Sequence, residues 1–343
     1  MMDMSLLRKL CTAGGISGDE GEVREMILSR ITPLADDIKI DNLGNIIAFK
    51  KGTERPERKL MISAHMDEVG FIVTDIQSDG LLKFACVGGI NDSAVFARQV
   101  FVGRKKIPGA VCCKPVHLLK GDEKGKNPPV SALTIDIGAK DRDEAMKYVR
   151  PGDSIIFDSI YDDSCGRIIS KAIDDRFGCL VLTELMKRDL RYDMTFAFCV
   201  QEEVGLRGSA AAAYSIAPDS AIIIEATTAA DIPGNENEKR VCLESGGAVV
   251  SFMDNATIYD KGYYDLAMEL AAKNNIPVQT KTVIAGGNDA GAIHKSRGGV
   301  RTIAVSVPCR YLHANASLIK ISDAQAVLDL AAVLAENIAA GKG

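Results

Sequence analysis

The sequence predicts a three-layer α/β/α domain into which a small β-barrel domain is inserted. Three observations carry this. From Lys171 onward, helical and strand patterns alternate, as expected for a central sheet covered on both faces. The stretch from about Glu68 to Arg167 breaks instead into short strands separated by Gly, Pro and Asp. A chain of 343 residues is also long for one hydrophobic core, so two units are expected, and they need not follow one another in sequence. The boundaries read as 1–67 with 168–343 for the α/β domain and 68–167 for the insert.

The elements follow in order. Leu6 to Ile31 carries apolar residues at helical spacing (Val23, Met26, Ile27, Ile31), with Ser17-Gly18-Asp19-Glu20 as a start signal, and reads as a surface helix on a sheet. Strands are expected at 38–41, 46–49 and 60–63, with Asn42-Leu43-Gly44-Asn45 turning between the first two. The insert supplies strands at 70–74, 81–84, 99–102, 110–113, 134–137 and 154–157, and 120–129 is its most polar and most mobile loop. Helices are then expected at 177–186, 209–214, 264–274 and 321–337, and strands at 194–200, 221–224 and 303–307. Gly286 to Gly291 reads as a tight turn near the site, because it lacks the lysine and spacing of a phosphate-binding loop.

Composition excludes several roles. A net charge of -5 with no basic cluster beyond Arg104-Lys105-Lys106 argues against nucleic acid. No stretch reaches the ~20 apolar residues that a bilayer crossing requires. Met1 to Ser5 runs into Arg8 and Lys9 without a signal-type apolar core, so the expected location is the cytoplasm. The nine cysteines lack any CxxC pair and sit mostly in apolar runs, which fits reduced buried thiols.

The chemistry is expected at the ends of apolar runs. His65-Met66-Asp67 closes the run Lys-Leu-Met-Ile-Ser-Ala, pairing an imidazole with a carboxylate that can accept its second N–H. Asp174-Asp175, Glu202-Glu203, Glu225 and His313 follow at similar places, where α/β sheets gather their sites. Each cluster alone has an ordinary structural explanation, and it is their joint placement that points to a site. A two-metal hydrolase centre needs a bridging carboxylate plus one histidine and one carboxylate per ion. His65 with Glu225 can hold one ion, Glu203 with His313 the other, and Asp174 can bridge, although the terminal ligands can be partly exchanged between ions. A nitrogen and oxygen donor set suits zinc, cobalt or manganese. Glu202, beside the ligand Glu203, is then the expected general base for the attacking water. His117 and His294 lack such a setting and read as structural.

The segments SAHMDEVGFIV, KAIDDRFGC, QEEVGLRGS, AGGNDAGAIH and VPCRYLHA, in this order, resemble the dinuclear-metal aminopeptidase family of glutamyl aminopeptidase and the tetrahedral aminopeptidases. The resemblance covers nearly the whole chain. It implies a phosphorylase/hydrolase-like catalytic domain with an inserted β-barrel, peptide substrates, and a homo-oligomer, a dodecamer built from dimers. It also implies metal ligands at His65, Asp174, Glu203, Glu225 and His313, Glu202 as acid/base, and a cis peptide after Asp174. Two positions depart from the family pattern: Glu225 stands where aspartate is usual, and Asn288 where threonine is frequent. Asp231 is the fallback ligand if Glu225 does not reach. For an acidic substrate preference the candidates are Arg207 and Arg310.

Two rival functions remain open. Some relatives carry an endoglucanase label, but glycoside hydrolysis usually uses two carboxylates without metal, and a chain with no Trp has few flat surfaces for a glucan. A non-catalytic assembly or binding protein is the second, and the intact Glu202 argues against it.

Overall fold

A computed structural model describes residues 2–118, 121, 128–236 and 239–343. The chain opens with α1 (Met4–Thr12) and α2 (Gly21–Ile31), then β1 (Asp37–Ile40), β2 (Ile46–Lys50) and β3 (Leu60–His65). The single helix expected across 6–31 is therefore two. Gly18, at φ +90°, sits in the break, and a Cβ on Gly15 would fall 2.7 Å from the Arg176 guanidinium. That break later supplies Ser17 to the site.

Strands β4 (Gly70–Ile76), β5 (Leu82–Val87), β6 (Gln99–Val102), β7 (Ile107–Cys112), β8 (Thr134–Asp136) and β9 (Ser154–Phe157) close an antiparallel barrel in the order β4-β5-β8-β7-β6-β9, with the short α3 (Arg142–Ala145) beside it. The barrel has its own core. Phe71 meets Phe84 and Phe157 edge to face, each at 5.1 Å between ring centroids. The polar loop expected at 120–129 lies mainly outside the described residues.

The chain returns through β10 (Arg167–Ser170), α4 (Ile173–Met186), β11 (Met194–Cys199), α5 (Arg207–Ile216), β12 (Ser220–Thr228) and β13 (Ala248–Val250). It finishes with α6 (Lys261–Lys273), β14 (Val278–Thr280), α7 (Ala290–Ile293), β15 (Arg301–Cys309), β16 (Ser317–Lys320) and α8 (Ile321–Ala339). Eight strands form one sheet in the order β1-β2-β11-β3-β12-β15-β13-β14, and β11, β3, β12 and β15 run parallel at its centre. These four are buried almost throughout, which explains their near-continuous apolar runs. Helices α4 and α8 pack on one face, and α5 and α7 on the other. Strand β10 pairs with β16 in a separate two-stranded ribbon.

The short strands β10, β13, β14 and β16 were not expected, and β12 runs on through Glu225 to Thr228 rather than stopping at 224. Among the described residues no helix is long and apolar enough to cross a membrane, and the nine cysteines are all unpaired.

Candidate metal centre

The parallel sheet sets the site. His65 ends β3 in register with Cys199, the last residue of β11, so the chain leaving β11 brings Glu202 and Glu203 beside His65 and Asp67. Gln201 turns that chain with φ +56°, an uncommon conformation for a side-chain-bearing residue. Glu225 projects from β12, the strand on the other side of β3. Asp174 and Asp175 begin α4 in non-helical conformations, joined by a cis peptide as the resemblance implied. His313 follows β15 at φ +57°.

These residues converge. His65 Nε2 lies 3.2 Å from Asp174 Oδ1 and 3.5 Å from Glu225 Oε1. His313 Nε2 lies 3.5 Å from Asp174 Oδ2 and 3.4 Å from Glu203 Oε2. Asp174 thus turns one oxygen to each histidine. The donor atoms of His65, Asp174 and Glu225 all fall within 4.8 Å of one another, as do those of Asp174, Glu203 and His313. Two triads therefore share Asp174, and Glu202 belongs to neither. Glu202 forms a third such group with His65 and Glu203, whose donor atoms also lie within 4.8 Å of one another.

The histidine rings are held from behind. His65 Nδ1 is 3.2 Å from the Asp67 carbonyl oxygen and 3.5 Å from its Oδ1, so the main-chain oxygen is the nearer partner, where the carboxylate was expected. His313 Nδ1 is 2.7 Å from the carbonyl oxygen of Gly89, which brings a barrel loop into the site. The fully buried Asp67 carboxylate accepts the Ser17 hydroxyl at 2.6 Å and the backbone N–H groups of Glu202 at 3.0 Å and Glu203 at 3.1 Å. Asp175 accepts the N–H of His65 at 3.3 Å and that of Gly178 at 2.9 Å.

So many carboxylates at close quarters disturb one another. Burial pushes Glu202 well above the usual carboxylate range, with Glu225, Asp289 and Glu203 adding to it against the pull of His65. Burial and the Asp174 charge raise Glu203 to about 7 and lift Glu225 well up. Asp174 goes the other way: burial opposes its charge, but hydrogen bonds from His313 and His65 hold it well below the usual range. Burial also opposes the charged forms of the histidines, yet the facing carboxylates raise His65 strongly and His313 to about 9. A crowded anionic cluster with paired imidazole nitrogens is the donor chemistry that divalent cations satisfy, so the residues present fit a two-ion centre.

The cluster opens into a cleft of about 590 Å³. Neither Arg207 nor Arg310 lines it. Arg207 is exposed, and Arg310 is held by Asp231 at 2.7 and 3.0 Å and by Glu244 at 2.9 Å, an arrangement that also occupies the fallback ligand Asp231. His117 and His294 do not line it either. Asn288 does, and it is fixed by its own bonds: Nδ2 donates to Tyr259 Oη at 3.0 Å and Oδ1 accepts the N–H of Ala290 at 2.9 Å. Gly89, Asn91 and Lys281 also line the cleft and carried no signal in the sequence beyond their residue types.

The fold and much of the sequence recur in known proteins. Residues 44–330 match the pattern of the M42 glutamyl aminopeptidase family. A putative aminopeptidase of Acetivibrio thermocellus is 39% identical over 322 residues, covering 93% of this chain and 94% of its own. A TET aminopeptidase from a Thaumarchaeota archaeon of marine sediment superposes with a TM-score of 0.93 at 31% identity, over 98% of this chain and 96% of its own. A Thermotoga maritima structure described as an endoglucanase has a TM-score of 0.82 at 34% identity, over 99% of this chain and 98% of its own. With most of its length matched in sequence and nearly all of it in fold, the chain belongs to the M42 glutamyl aminopeptidase family.

Proposed function

We propose that the protein is a two-metal aminopeptidase that removes the N-terminal residue of short peptides. Asp174, with one oxygen toward His65 and the other toward His313, is the observation that carries the reading. In it His65 and Glu225 would hold one divalent ion and Glu203 and His313 the other, with Asp174 shared between them; zinc, cobalt and manganese are the candidates. Ions bound there would supply a water that ionises near neutral pH and a positive charge for the scissile carbonyl oxygen.

The remaining steps belong to the chain. Glu202, outside both triads, takes the proton of the attacking water and passes it to the leaving amine. Asp67 keeps Glu202 and Glu203 in place through their backbone N–H groups. The protein is further read as a cytoplasmic homo-oligomer, with 68–167 as an inserted unit.

Glycoside hydrolysis is the second reading, favoured by the description of the Thermotoga relative. A glycosidase pair stands about 5 to 10 Å apart across the bond it cleaves. Here the carboxylates face imidazole nitrogens at 3.2 to 3.5 Å instead, which favours the first reading.

The test is hydrolysis of aminoacyl p-nitroanilides and of a soluble cellulose derivative by chelator-stripped protein, before and after zinc, cobalt or manganese is restored. Release of p-nitroaniline that returns with metal, at two bound ions per chain, is expected. Glucan cleavage indifferent to metal would sink the proposal.

A further inference from the structure

We infer that the barrel controls one half of the metal centre: its Gly88-Gly89 turn positions both His313 and Glu203, and leaves His65 and Glu225 to the sheet. The inference rests on the two-ion reading. It starts from an asymmetry between the two donor triads. The His65 ring faces Asp67, Asp174 and Glu225, and its backbone N–H goes to Asp175. These partners all lie outside the barrel strands, and the His65 side chain is 2% exposed. The His313 side chain is 35% exposed and stands on a loop at φ +57°. Its Nδ1 finds its partner, the Gly89 carbonyl oxygen at 2.7 Å, just beyond the barrel strand β5.

The preceding residue serves the other ligand. Gly88 has φ +85°, in the region that side-chain-bearing residues rarely adopt. A Cβ there would lie 2.8 Å from Val69 Cγ1 and 3.3 Å from Glu203 Cβ. The turn therefore lies directly against Glu203, with no room for a side chain, while its next carbonyl reaches His313. Two consecutive residues thus meet both ligands of one triad. A histidine that donates Nδ1–H to a carbonyl oxygen leaves Nε2 bare for a cation. Nε2 is the His313 atom that faces Asp174 and Glu203. Loss of such an orienting partner costs about 10- to 100-fold in metal affinity.

The barrel fixes where the turn stands. Val87, the last residue of β5, pairs with Gly70, the first of β4. Gly70 lies two residues beyond Glu68, whose carboxylate is buried against Lys171 and Arg176 and whose N–H donates to the Gly15 carbonyl oxygen at 3.0 Å. The turn is therefore tied to the place where the chain crosses from the sheet into the barrel. A shift of β4 and β5 carries Gly88 and Gly89 with it and disturbs His313 and Glu203. His65, at the end of β3, and Glu225, within β12, keep their places in the parallel sheet.

The experiment titrates the chelator-stripped full chain with zinc by calorimetry and with cobalt by visible absorption, with circular dichroism as the check on folding. His313→Ala and Glu225→Gln mark which binding step belongs to which triad. Gly88→Ala is expected to weaken the step lost in His313→Ala by at least about tenfold and to alter the cobalt spectrum of that step. The step lost in Glu225→Gln should stay within about twofold of wild type. Val69→Ala, which removes the wall behind Gly88 instead of crowding it, should weaken the same step by at least about threefold, and it carries the test if Gly88→Ala does not fold. Gly80→Ala is the control for strain elsewhere in the barrel: Gly80 also has φ +85°, and a Cβ there would lie 2.6 Å from the Ala139 carbonyl oxygen, in the turn at the other end of β4 and β5. It should keep both steps. Equal weakening of both steps in Gly88→Ala, weakening of the Glu225 step instead, or no weakening in the folded Gly88→Ala or Val69→Ala overturns the inference alone. So does a Gly80→Ala that matches Gly88→Ala. A wild type that takes up fewer than two ions at saturating metal overturns the two-ion reading and this inference with it.

Discussion

The carboxylate of Asp67 accepts the backbone N–H of Glu202 at 3.0 Å through one oxygen and that of Glu203 at 3.1 Å through the other. A residue two positions beyond His65 therefore sets where both glutamates stand. Asp67→Asn replaces one acceptor oxygen by an NH2 group aimed at an N–H or at the Ser17 hydroxyl. Metal affinity and kcat are each expected to fall about 10- to 100-fold while the fold persists. Calorimetric metal titration and initial rates check this; values within twofold of wild type would remove the positioning role.

Glu202→Gln tests the base directly. The amide keeps the shape of the side chain but cannot take a proton, so kcat should fall by about 10² to 10⁴. Because Glu202 stands outside both donor triads, bound metal should stay at the wild-type level. Elemental analysis beside steady-state kinetics separates the two roles. Loss of an ion in this variant would instead make Glu202 a ligand.

The sequence shows more of the centre of the sheet than of its edge. His65 ends β3, and Glu203 and His313 follow β11 and β15, strands whose long apolar runs are visible without any knowledge of pairing. Glu225 was legible as a site candidate, but its charge hid the continuation of β12 through it. Strands β13 and β14 are three residues each, too short for a periodicity to register, and they exist because they pair with β15 and with each other. Lys281 reaches the cleft only through that pairing. Gly89 likewise reaches His313 only because the barrel folds back over the sheet. Arg207 and Arg310 show the converse error. Proximity in sequence to a site residue did not carry either side chain into the cleft.

A pH effect is expected away from the metal cluster. The hydrogen bonds from Arg310 hold the Asp231 carboxyl below its usual range, against the opposing effect of burial and with help from the Glu244 N–H. Since the folded value lies below the unfolded one, of about 3.9, this stabilisation is fully present above the unfolded value and is lost as pH falls through the folded one. Asp231→Asn should therefore unfold at lower urea concentration than wild type at pH 7, and the gap should narrow below about pH 4. A gap independent of pH would show that the ion pair contributes nothing through ionisation.

The largest stability change is expected at Glu68. This residue sits where the chain leaves β3 for the barrel, and Lys171 sits where it returns after β10, so the two crossings meet in one buried ion pair. Lys171 Nζ is 2.7 Å from both Glu68 oxygens and 2.8 Å from the Ala13 carbonyl oxygen. Arg176 adds a contact to Glu68 at 3.2 Å and reaches the carbonyl oxygens of Leu10 and Gly15. All three side chains are almost wholly buried. Glu68→Gln leaves two buried cations without a counter-charge, and breaking a buried pair in this way costs about 3–5 kcal/mol. Replacing Lys171 by Met as well removes one of those cations, so the double variant should recover part of the loss rather than add to it. Urea unfolding of the two single variants and the double variant measures the coupling. Strictly additive losses would mean that the chain crossings are held by their backbone contacts, such as the Glu68 N–H on the Gly15 carbonyl oxygen at 3.0 Å, and not by the charges.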